Sequence, residues 1–189
     1  MRMVFFGAPG SGKGTQATLL KSKFGIPHIS TGDLLRGHVA RDTELGRKAR
    51  AVMEAGQLVS DELVLGMLED RLAEADAAPG FILDGYPRNL AQADALGTLL
   101  DRIGKPLDVV IKLNVPNAAI LERCAIRFAA EGRKDDNPEV VRGRLAVYAE
   151  QTAPVAAYYA RAGKLVEIDG VGELAEITAR ILAAVQACA

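Results

Sequence analysis

The chain begins with a short apolar run, Met1-Arg2-Met3-Val4-Phe5-Phe6, and continues directly with Gly7-Ala8-Pro9-Gly10-Ser11-Gly12-Lys13-Gly14-Thr15. A helical stretch follows over residues 16–23, so the spacing predicts a strand, a phosphate-binding loop and a helix. In such a loop, glycines let the backbone turn tightly with its N–H groups pointing inward. A di- or triphosphate then lies in a concave nest at the helix N-terminus. Lys13 is placed to reach the outer phosphates.

The alternative interpretation of this loop is an ordinary glycine-rich turn. Its position between a buried-type strand and a helix, as phosphate binding requires, argues against that interpretation. The strict motif has Ser or Thr directly after the lysine, whereas here Gly14 follows Lys13 and Thr15 comes one residue later. The motif alone therefore leaves open whether a hydroxyl group ligates magnesium directly.

Length and composition set outer limits on the class of protein. The 189 residues fit one domain of moderate size with a substantial core. The formal net charge of −1 gives no general attraction to nucleic acid or acidic membranes, so neither is expected as a partner. Cys124 and Cys188 lie far apart in helical patterns and predict neither a metal site nor a disulfide. There is no basic leader and no apolar run of membrane-spanning length, so we expect a cytoplasmic protein. We also expect a monomer.

Apolar runs alternate with amphipathic segments along the whole chain. This alternation predicts an α/β protein with a five-stranded parallel sheet covered by helices on both faces, in the three-layer P-loop NTPase manner. Ligands are then expected at the carboxyl ends of the strands. The predicted strands are residues 1–6, 25–30, 80–85, 107–115 and 164–170. After the first helix, one helix is predicted to begin at residue 31. Further helices are predicted over 43–55, 60–75, a stretch after Asn89, 118–128, 139–159 and 173–187. Residues 129–138 are predicted to form a polar loop.

The third predicted strand ends in a carboxylate, Asp84. An apolar strand that ends in Asp downstream of a phosphate loop has the form of a Walker B element, whose carboxylate holds magnesium directly or through water. Arginines lie beside several predicted strand ends and loops on the same side, and their planar guanidinium groups suit phosphate oxygens. These arginines are Arg36, Arg88, Arg123, Arg127, Arg133 and Arg144. Phosphoryl transfer depends on such positioning and charge stabilisation more than on a covalent residue.

Together these stretches resemble the motifs of adenylate kinases. Gly7 to Thr15 resembles the family's G-x-P-G-x-G-K-G-T loop, which accounts for Gly14. Ser30-Thr31-Gly32-Asp33-Leu34-Leu35-Arg36 is similar to its nucleoside monophosphate segment, and Leu83-Asp84-Gly85-Tyr86-Pro87-Arg88 with Gln92 to its strand-end signature. The later basic motifs are matched by Arg127, by Arg133-Lys134-Asp135-Asp136 and by Arg142-Gly143-Arg144.

The resemblance implies a site for each nucleotide and a magnesium ion that accompanies ATP. Magnesium would be held at Asp84, through water. The residues implied for ATP are Gly10, Ser11, Gly12, Lys13, Gly14, Thr15, Arg123, Arg127 and Gly172. Those implied for AMP are Thr31, Arg36, Gln57, Leu58, Val59, Gly85, Tyr86, Pro87, Arg88, Gln92, Arg133 and Arg144. The catalytic set implied by the resemblance is Lys13, Arg88, Arg127, Arg133 and Arg144.

The resemblance also implies a division of the chain. Residues 1–29, 60–127 and 138–189 would form the core, residues 30–59 a monophosphate-binding insertion, and residues 128–137 a lid. Many bacterial relatives carry a long lid, some with a cysteine-based zinc site. This chain resembles the short-lid form, without cysteine or histidine in the lid, so no zinc is expected. Gln57 stands where the family often has Lys, which suits a contact made by the backbone alone.

The expected reaction is reversible transfer of a phosphoryl group from Mg-ATP to AMP, giving two ADP. No general base is needed, because the second pKa of a phosphate monoester is about 6 and AMP is already mostly a dianion at pH 7. His28 and His38 are therefore expected to be structural. One alternative is a short-lid UMP/CMP kinase, but Thr31 and Gln92 favour adenine as the base. The other alternative is a P-loop regulator that binds nucleotide without turnover.

Overall fold

The fold is an α/β sandwich built on one parallel sheet, and the computed structural model describes residues 1–187. The sheet order is β2-β3-β1-β4-β5, and every neighbouring pair is parallel. The central strand is β1, so the loop after it opens between the ends of β3 and β4. The strands are β1 (Arg2–Phe6), β2 (His28–Ser30), β3 (Phe81–Asp84), β4 (Val109–Asn114) and β5 (Leu165–Asp169). The predicted fold class is confirmed.

Nine α-helices connect and cover the strands within residues 1–187. They are α1 (Lys13–Phe24), α2 (Thr31–Ala40), α3 (Glu44–Glu54), α4 (Asp61–Leu72), α5 (Leu90–Arg102), α6 (Asn117–Glu131), α7 (Pro138–Val147), α8 (Val155–Arg161) and α9 (Leu174–Ala187). Short 3₁₀ turns lie at Ala75–Ala77 and Lys134–Asp136. Cys188, which the sequence placed in a helical pattern, lies outside the described residues. Within that described part, no helix is both long and apolar enough to cross a membrane.

Alternation along the strands divides the core into two layers. Val4 and Phe6 of β1 point to the face covered by α4, α5 and α8, whereas Met3 and Phe5 point to the face covered by α1 and α9. All four side chains are almost fully buried. Strands that are buried on both faces have continuous apolar sequences. For this reason the first six residues predicted a strand of a parallel sheet. The two layers hold the carboxyl ends of β1 and β3 side by side.

Side-chain caps explain where four helices start, among them α7, where Asn137 Oδ1 accepts a hydrogen bond from the Glu139 N–H at 3.0 Å. The Ser30 hydroxyl accepts a hydrogen bond from the Asp33 N–H at 3.2 Å, and Asn89 Oδ1 accepts one from the Gln92 N–H at 2.7 Å. Thr43 serves α3 in the same way. The sequence also predicts Ser60 as the cap of α4, and Ser60 does stand at the N-cap position, but its side chain makes no capping hydrogen bond. Asp61 and Glu62 occupy the first turn of α4 instead, where negative charge complements the helix dipole.

Two helix boundaries differ from the sequence prediction. Helix α6 runs through Glu131 into the segment expected to be a loop, since alanines favour the helix until Gly132 caps it with φ of 63°. The single helix predicted over 139–159 is interrupted after α7, where residues 148–152 form a π-helical turn. Pro154 follows, and it has no N–H with which to continue an α-helical ladder. The interruption directs Thr152 toward the end of β3.

Candidate active site

The phosphate loop closes tightly because glycines occupy positions that other residues fit poorly. Gly10 has φ of +79°, and a Cβ there would lie 2.6 Å from the Cys124 Sγ. Gly12 has φ of +93° and is the N-cap of α1, with no side chain to satisfy the first-turn N–H groups. Free N–H groups at a helix start attract anions. The loop thus keeps the form that the sequence predicted.

Lys13 folds back over this loop. Its ammonium donates to the carbonyl oxygens of Gly7 and Ala8, both at 2.8 Å, and lies 3.3 Å from Ser11 Oγ. Burial is the main cause that lowers the pKa of Lys13 to about 8; the charge of Asp84 opposes this shift, and the nearby cations, Arg88 foremost, add to it. An ammonium in this position can be released to phosphate oxygens, which would replace the two carbonyl partners.

This lowered pKa predicts the pH dependence of nucleotide binding. For ATP, the ligand that the sequence resemblance implies for this loop, the Kd measured without a second nucleotide is expected to rise above about pH 8, because a neutral amine no longer attracts the phosphates. In Lys13→Arg the guanidinium stays charged, so this alkaline loss of affinity is expected to move to higher pH. Calorimetric titration from pH 7 to 10 measures both. The same alkaline limb in both proteins would show that Lys13 is not the titrating group.

Asp84 ends β3 beside the loop. Burial alone would raise its pKa, but the His28 hydrogen bond and the charges of Lys13 and Arg88 outweigh burial and hold the pKa of Asp84 below its usual range. His28 Nε2 lies 3.4 Å from Asp84 Oδ2, which gives this histidine a partner that the sequence did not reveal. A Cβ added to Gly14 would lie 3.6 Å from the same oxygen. The carboxylate therefore faces the first turn of α1.

Four arginines surround the strand ends and are balanced by two acids. Asp136 is fully buried and bonds Arg127 bidentately, with Nη2 to Oδ1 at 2.7 Å. Arg144 Nη1 donates to the same Asp136 Oδ1 at 3.3 Å, and Arg133 Nη2 donates to Asp135 Oδ2 at 3.0 Å. Arg36 lies 3.7 Å from Asp135. When no phosphate is bound, the two carboxylates compensate the charges of the guanidinium groups and hold them in place.

Asp135 and Asp136 were not among the predicted site residues. The signal was present in the sequence, since two adjacent acids stand inside a basic segment with arginines on either side. Burial would raise the pKa of Asp135, but Arg133, Arg144 and Arg36 lower it. Both carboxylates are partners of the arginines, and Asp135 also lines the smaller of the two pockets at this site.

Arg88 follows β3 through a turn that needs a glycine. Gly85 has φ of +81°, and a Cβ there would lie 2.8 Å from Thr31 Oγ1. The peptide between Tyr86 and Pro87 is cis. Arg88 Nε donates to the Gly85 carbonyl at 2.7 Å, and the Thr152 hydroxyl donates to the Arg88 carbonyl at 2.7 Å. Burial, helped by Arg144, lowers the pKa of Arg88 to about 10.

Two adjoining pockets open on this set of residues. The larger one is lined by the phosphate loop, Asp84, Arg127 and Arg133. The smaller one is lined by Thr31, Gln57, Val59 and Gln92. Eight residues line both pockets and form the border between them: Gly32, Arg36, Gly56, Leu58, Gly85, Tyr86, Arg88 and Arg144. The arrangement can hold two anionic ligands with their charges facing a shared row of guanidinium groups.

Gln92 is nearly buried at the back of the smaller pocket, with 2% of its surface exposed. Its Oε1 accepts from the Arg88 N–H at 2.7 Å, and its Nε2 donates to Asp61 Oδ1 at 2.7 Å. Asp61 was not among the predicted site residues. Its distance of 31 residues from Gln92 left no local signal.

Two predicted residues, Arg123 and Gly172, do not line the larger pocket. Arg123 donates to the carbonyls of Ser11 at 3.3 Å and Gly170 at 3.0 Å, so it braces the phosphate loop from outside. Gly172, with φ of +122°, lies beside Glu176 and Arg180. The remaining predicted residues line one pocket or both, except Ser11, whose side chain is buried within the loop.

A phosphate loop after the central strand of a parallel sheet, with an acid at the end of the next strand, defines the class of P-loop nucleotide-binding proteins. Residues 5–164 match the family model described as Adenylate kinase. The chain belongs to the adenylate kinase family, and it is a nucleoside monophosphate kinase.

Similar curated proteins cover nearly the whole chain. The adenylate kinase of Stenotrophomonas maltophilia strain R551-3 is 61% identical over 186 residues, which cover 98% of this chain and 100% of that protein. The adenylate kinase of strain K279a of the same species is 60% identical over 187 residues, 99% of this chain and 100% of its own. The adenylate kinase of Xanthomonas euvesicatoria pv. vesicatoria strain 85-10 is 61% identical over 181 residues, 96% of this chain and 97% of its own.

Proposed function

We propose that this protein catalyses the reversible transfer of the terminal phosphoryl group of ATP to AMP, giving two ADP, across the border between the two pockets. The observation that carries this proposal is that Arg88, Arg36 and Arg144 border both pockets at once. Two nucleotides bound with their phosphates facing these guanidinium groups have donor and acceptor side by side. No feature of the site favours the regulator or the UMP/CMP kinase alternative.

ATP occupies the larger pocket in this proposal. Its β- and γ-phosphates lie on the N–H groups of residues 10–15, and Lys13 leaves its carbonyl partners for phosphate oxygens. Arg127 leaves Asp136 in part, so that one edge of its guanidinium faces the triphosphate. Arg123 holds the loop in shape from behind, and Gly172 offers its backbone to the adenine ring.

AMP occupies the smaller pocket. Its base lies against Thr31, the backbone of residues 57–59 and Gln92, and its phosphate lies on Arg36 and Arg88. Residues 85–87 form the turn that brings Arg88 to the border. Arg133 and Arg144 reach the transferring group from the lid side. Arginine suits these positions because its planar fork binds two phosphate oxygens together.

The reaction needs no base from the protein. An oxygen of the AMP phosphate, already dianionic at neutral pH, attacks the γ-phosphorus of ATP. The new P–O bond forms while the bond between the γ-phosphorus and the β–γ bridging oxygen breaks, and ADP leaves with that electron pair. Lys13, Arg88, Arg127, Arg133 and Arg144 stabilise the charge on the transferring group and the leaving oxygen, which is the main protein contribution to this chemistry.

Asp84 is the residue proposed to hold magnesium with ATP. Its lowered pKa keeps it ionised, and residues 1–187 contain no group of three or more His, Cys, Asp or Glu side chains able to hold a metal ion. One carboxylate plus substrate phosphates is a usual magnesium environment, with water completing the shell. An ion held there would neutralise part of the charge on the β- and γ-phosphates. The absence of zinc, the monomeric state and the cytoplasmic location stay predictions.

The monophosphate specificity gives the sharpest test of this assignment. With ATP fixed, kcat/KM is expected to be higher for AMP than for UMP, CMP or GMP by orders of magnitude, because a wrong base leaves buried polar groups unpaired. Gln92→Ala is expected to lower efficiency with AMP and flatten this ranking. UMP or CMP matching AMP in the parent enzyme, or an unchanged ranking in Gln92→Ala, would transfer the assignment to a UMP/CMP kinase.

The division into core, insertion and lid is supported by contacts across the site. Lys134 of the lid bonds Glu54 of the insertion at 3.0 Å, and Arg36 of the insertion lies 3.7 Å from Asp135 of the lid. We propose that residues 30–59 and 128–137 close over the nucleotides and keep water from the transferring phosphoryl group.

A ligand carrying two adenosines joined by a phosphate chain is expected to slow amide hydrogen exchange in both segments. The physical reason is that the ligand is bound only in the closed arrangement and favours it by mass action. Exchange in the interior of α9 serves as the control and is expected to change little. Equal exchange in residues 30–59 and 128–137 with and without the ligand would rule out closure.

A further inference from the structure

We propose that Asp61 is a specificity-determining positioning residue: it locks the Gln92 amide in one orientation and so makes the monophosphate pocket select a 6-amino purine over a 6-oxo purine. This inference rests on the proposed binding of the AMP base at Gln92. Asp61 itself acts through Gln92 and need not touch the substrate.

The lock is a chain of hydrogen bonds between the starts of two helices. Asp61 is the first residue of α4, and Gln92 lies in the first turn of α5. Gln92 Nε2 donates to Asp61 Oδ1 at 2.7 Å, while Gln92 Oε1 accepts from the Arg88 N–H at 2.7 Å. Asn89 Nδ2 donates to both Asp61 oxygens at 3.2 Å and steadies the carboxylate.

The two partners of the amide enforce the same orientation. A carboxylate only accepts hydrogen bonds, and a backbone N–H only donates one. If the amide were flipped, its oxygen would face the Asp61 carboxylate and its NH₂ would face the Arg88 N–H. Both contacts would be repulsive in a place where Gln92 is 2% exposed and water offers little replacement. One N–H and one oxygen lone pair remain for a ligand.

This orientation matters because a free glutamine cannot tell the two purine types apart. The 6-amino purine presents a donor at position 6 and an acceptor at N1, whereas the 6-oxo purine presents an acceptor at position 6 and a donor at N1. A primary amide has both a donor and an acceptor, so by flipping it can pair with either edge. An amide held in one orientation pairs with only one of them. The other leaves buried polar groups unpaired, which is the basis of strong discrimination.

AMP and inosine monophosphate form the matched pair of probes, since they differ only in this edge of the base. With ATP fixed, the parent enzyme is expected to show a kcat/KM ratio of AMP to inosine monophosphate of at least about a hundredfold. In Asp61→Asn, the new amide can offer Gln92 either an oxygen or an NH₂, so only the Arg88 N–H still opposes the flipped orientation. The ratio is expected to fall by about tenfold or more, through loss with AMP and gain with inosine monophosphate.

Glu62→Gln is the control, because Glu62 is exposed in the same first turn and its loss removes the same charge from the helix start. Its AMP to inosine monophosphate ratio is expected to match the parent. Asp61→Ser, which also removes the carboxylate and keeps a residue suited to a helix start, carries the same expectation as Asp61→Asn if that variant folds poorly. In a Gln92→Ala background, Asp61→Asn is expected to cause no further change in the ratio.

The outcomes separate this inference from the function on which it rests. A parent enzyme that uses the two monophosphates equally would overturn the base assignment at Gln92 itself. A discriminating parent whose ratio survives in folded Asp61→Asn or Asp61→Ser would overturn only the role of Asp61. A fall in the ratio that persists undiminished in the Gln92→Ala background would also overturn it, since Asp61 would then act by another route.

Discussion

Lys13→Ala is expected to lower kcat for transfer from ATP to AMP by at least about 10²- to 10³-fold, the range typical of losing one preorganised charge at a developing negative centre. The ammonium is preorganised here, because three oxygens of the loop hold it at 2.8 to 3.3 Å beside the N-terminus of α1. Lys13 contributes charge at the pocket, so its removal is expected to leave the fold intact.

The measurement is steady-state kcat with both nucleotides saturating, alongside a thermal melt. Lys21→Ala is the control, because Lys21 is exposed in the last turn of the same helix, at the opposite end from the loop. This variant is expected to keep the parental kcat. Lys13→Ala with kcat within a factor of a few of the parent would refute the role assigned to the loop lysine. Loss of the melting transition would instead make Lys13 a structural residue.

Arg88→Ala is expected to be the second most damaging change, with a loss in kcat of about 10²-fold or more. Its guanidinium lies at the border of both pockets, and burial already lowers its pKa to about 10. Because this cation is largely removed from water, its attraction to a negatively charged phosphoryl group is weakly screened and therefore strong. The backbone anchors of the turn, from Gln92 and Thr152, do not use the Arg88 side chain and remain in the variant.

Arg88→Lys distinguishes charge from geometry. Lysine restores the positive charge but not the planar pair of donors, so most of the loss is expected to remain. Arg102→Lys at the end of α5, where Arg102 forms only an exposed ion pair with Glu69, is the matched control and is expected to be neutral. Full recovery of kcat in Arg88→Lys would mean that bidentate binding at the border is not required.

The sheet and the phosphate loop were predictable because their signals are local. A buried parallel strand is a continuous apolar run. The glycines before Lys13, placed between such a strand and a helix, indicate a phosphate-binding turn. The start of α5 after Asn89 was predictable for the same reason, since the Asn89 side chain bonds a residue only three positions later. Strand direction and the end of the sheet that carries the site then followed from connection rules.

The partners of the site residues were not predictable, because they come from distant parts of the chain. Asp84 meets His28 across 56 residues, and Thr152 meets Arg88 across 64. The Thr152 contact also depends on the π-helical turn before Pro154, which an apolar period of 3.6 residues does not reveal. Asp136 was visible as an acid among arginines, but only tertiary packing makes it fully buried.

The most direct test of phosphoryl transfer between two adenine nucleotides is ³¹P nuclear magnetic resonance of the purified protein with equal ATP and AMP in the presence of magnesium. Both signals are expected to decrease together while ADP grows by two molecules for each AMP consumed. The same protein given ADP alone is expected to form ATP and AMP until the same equilibrium is reached. Release of inorganic phosphate with AMP unchanged, or no change in any signal, would contradict the account.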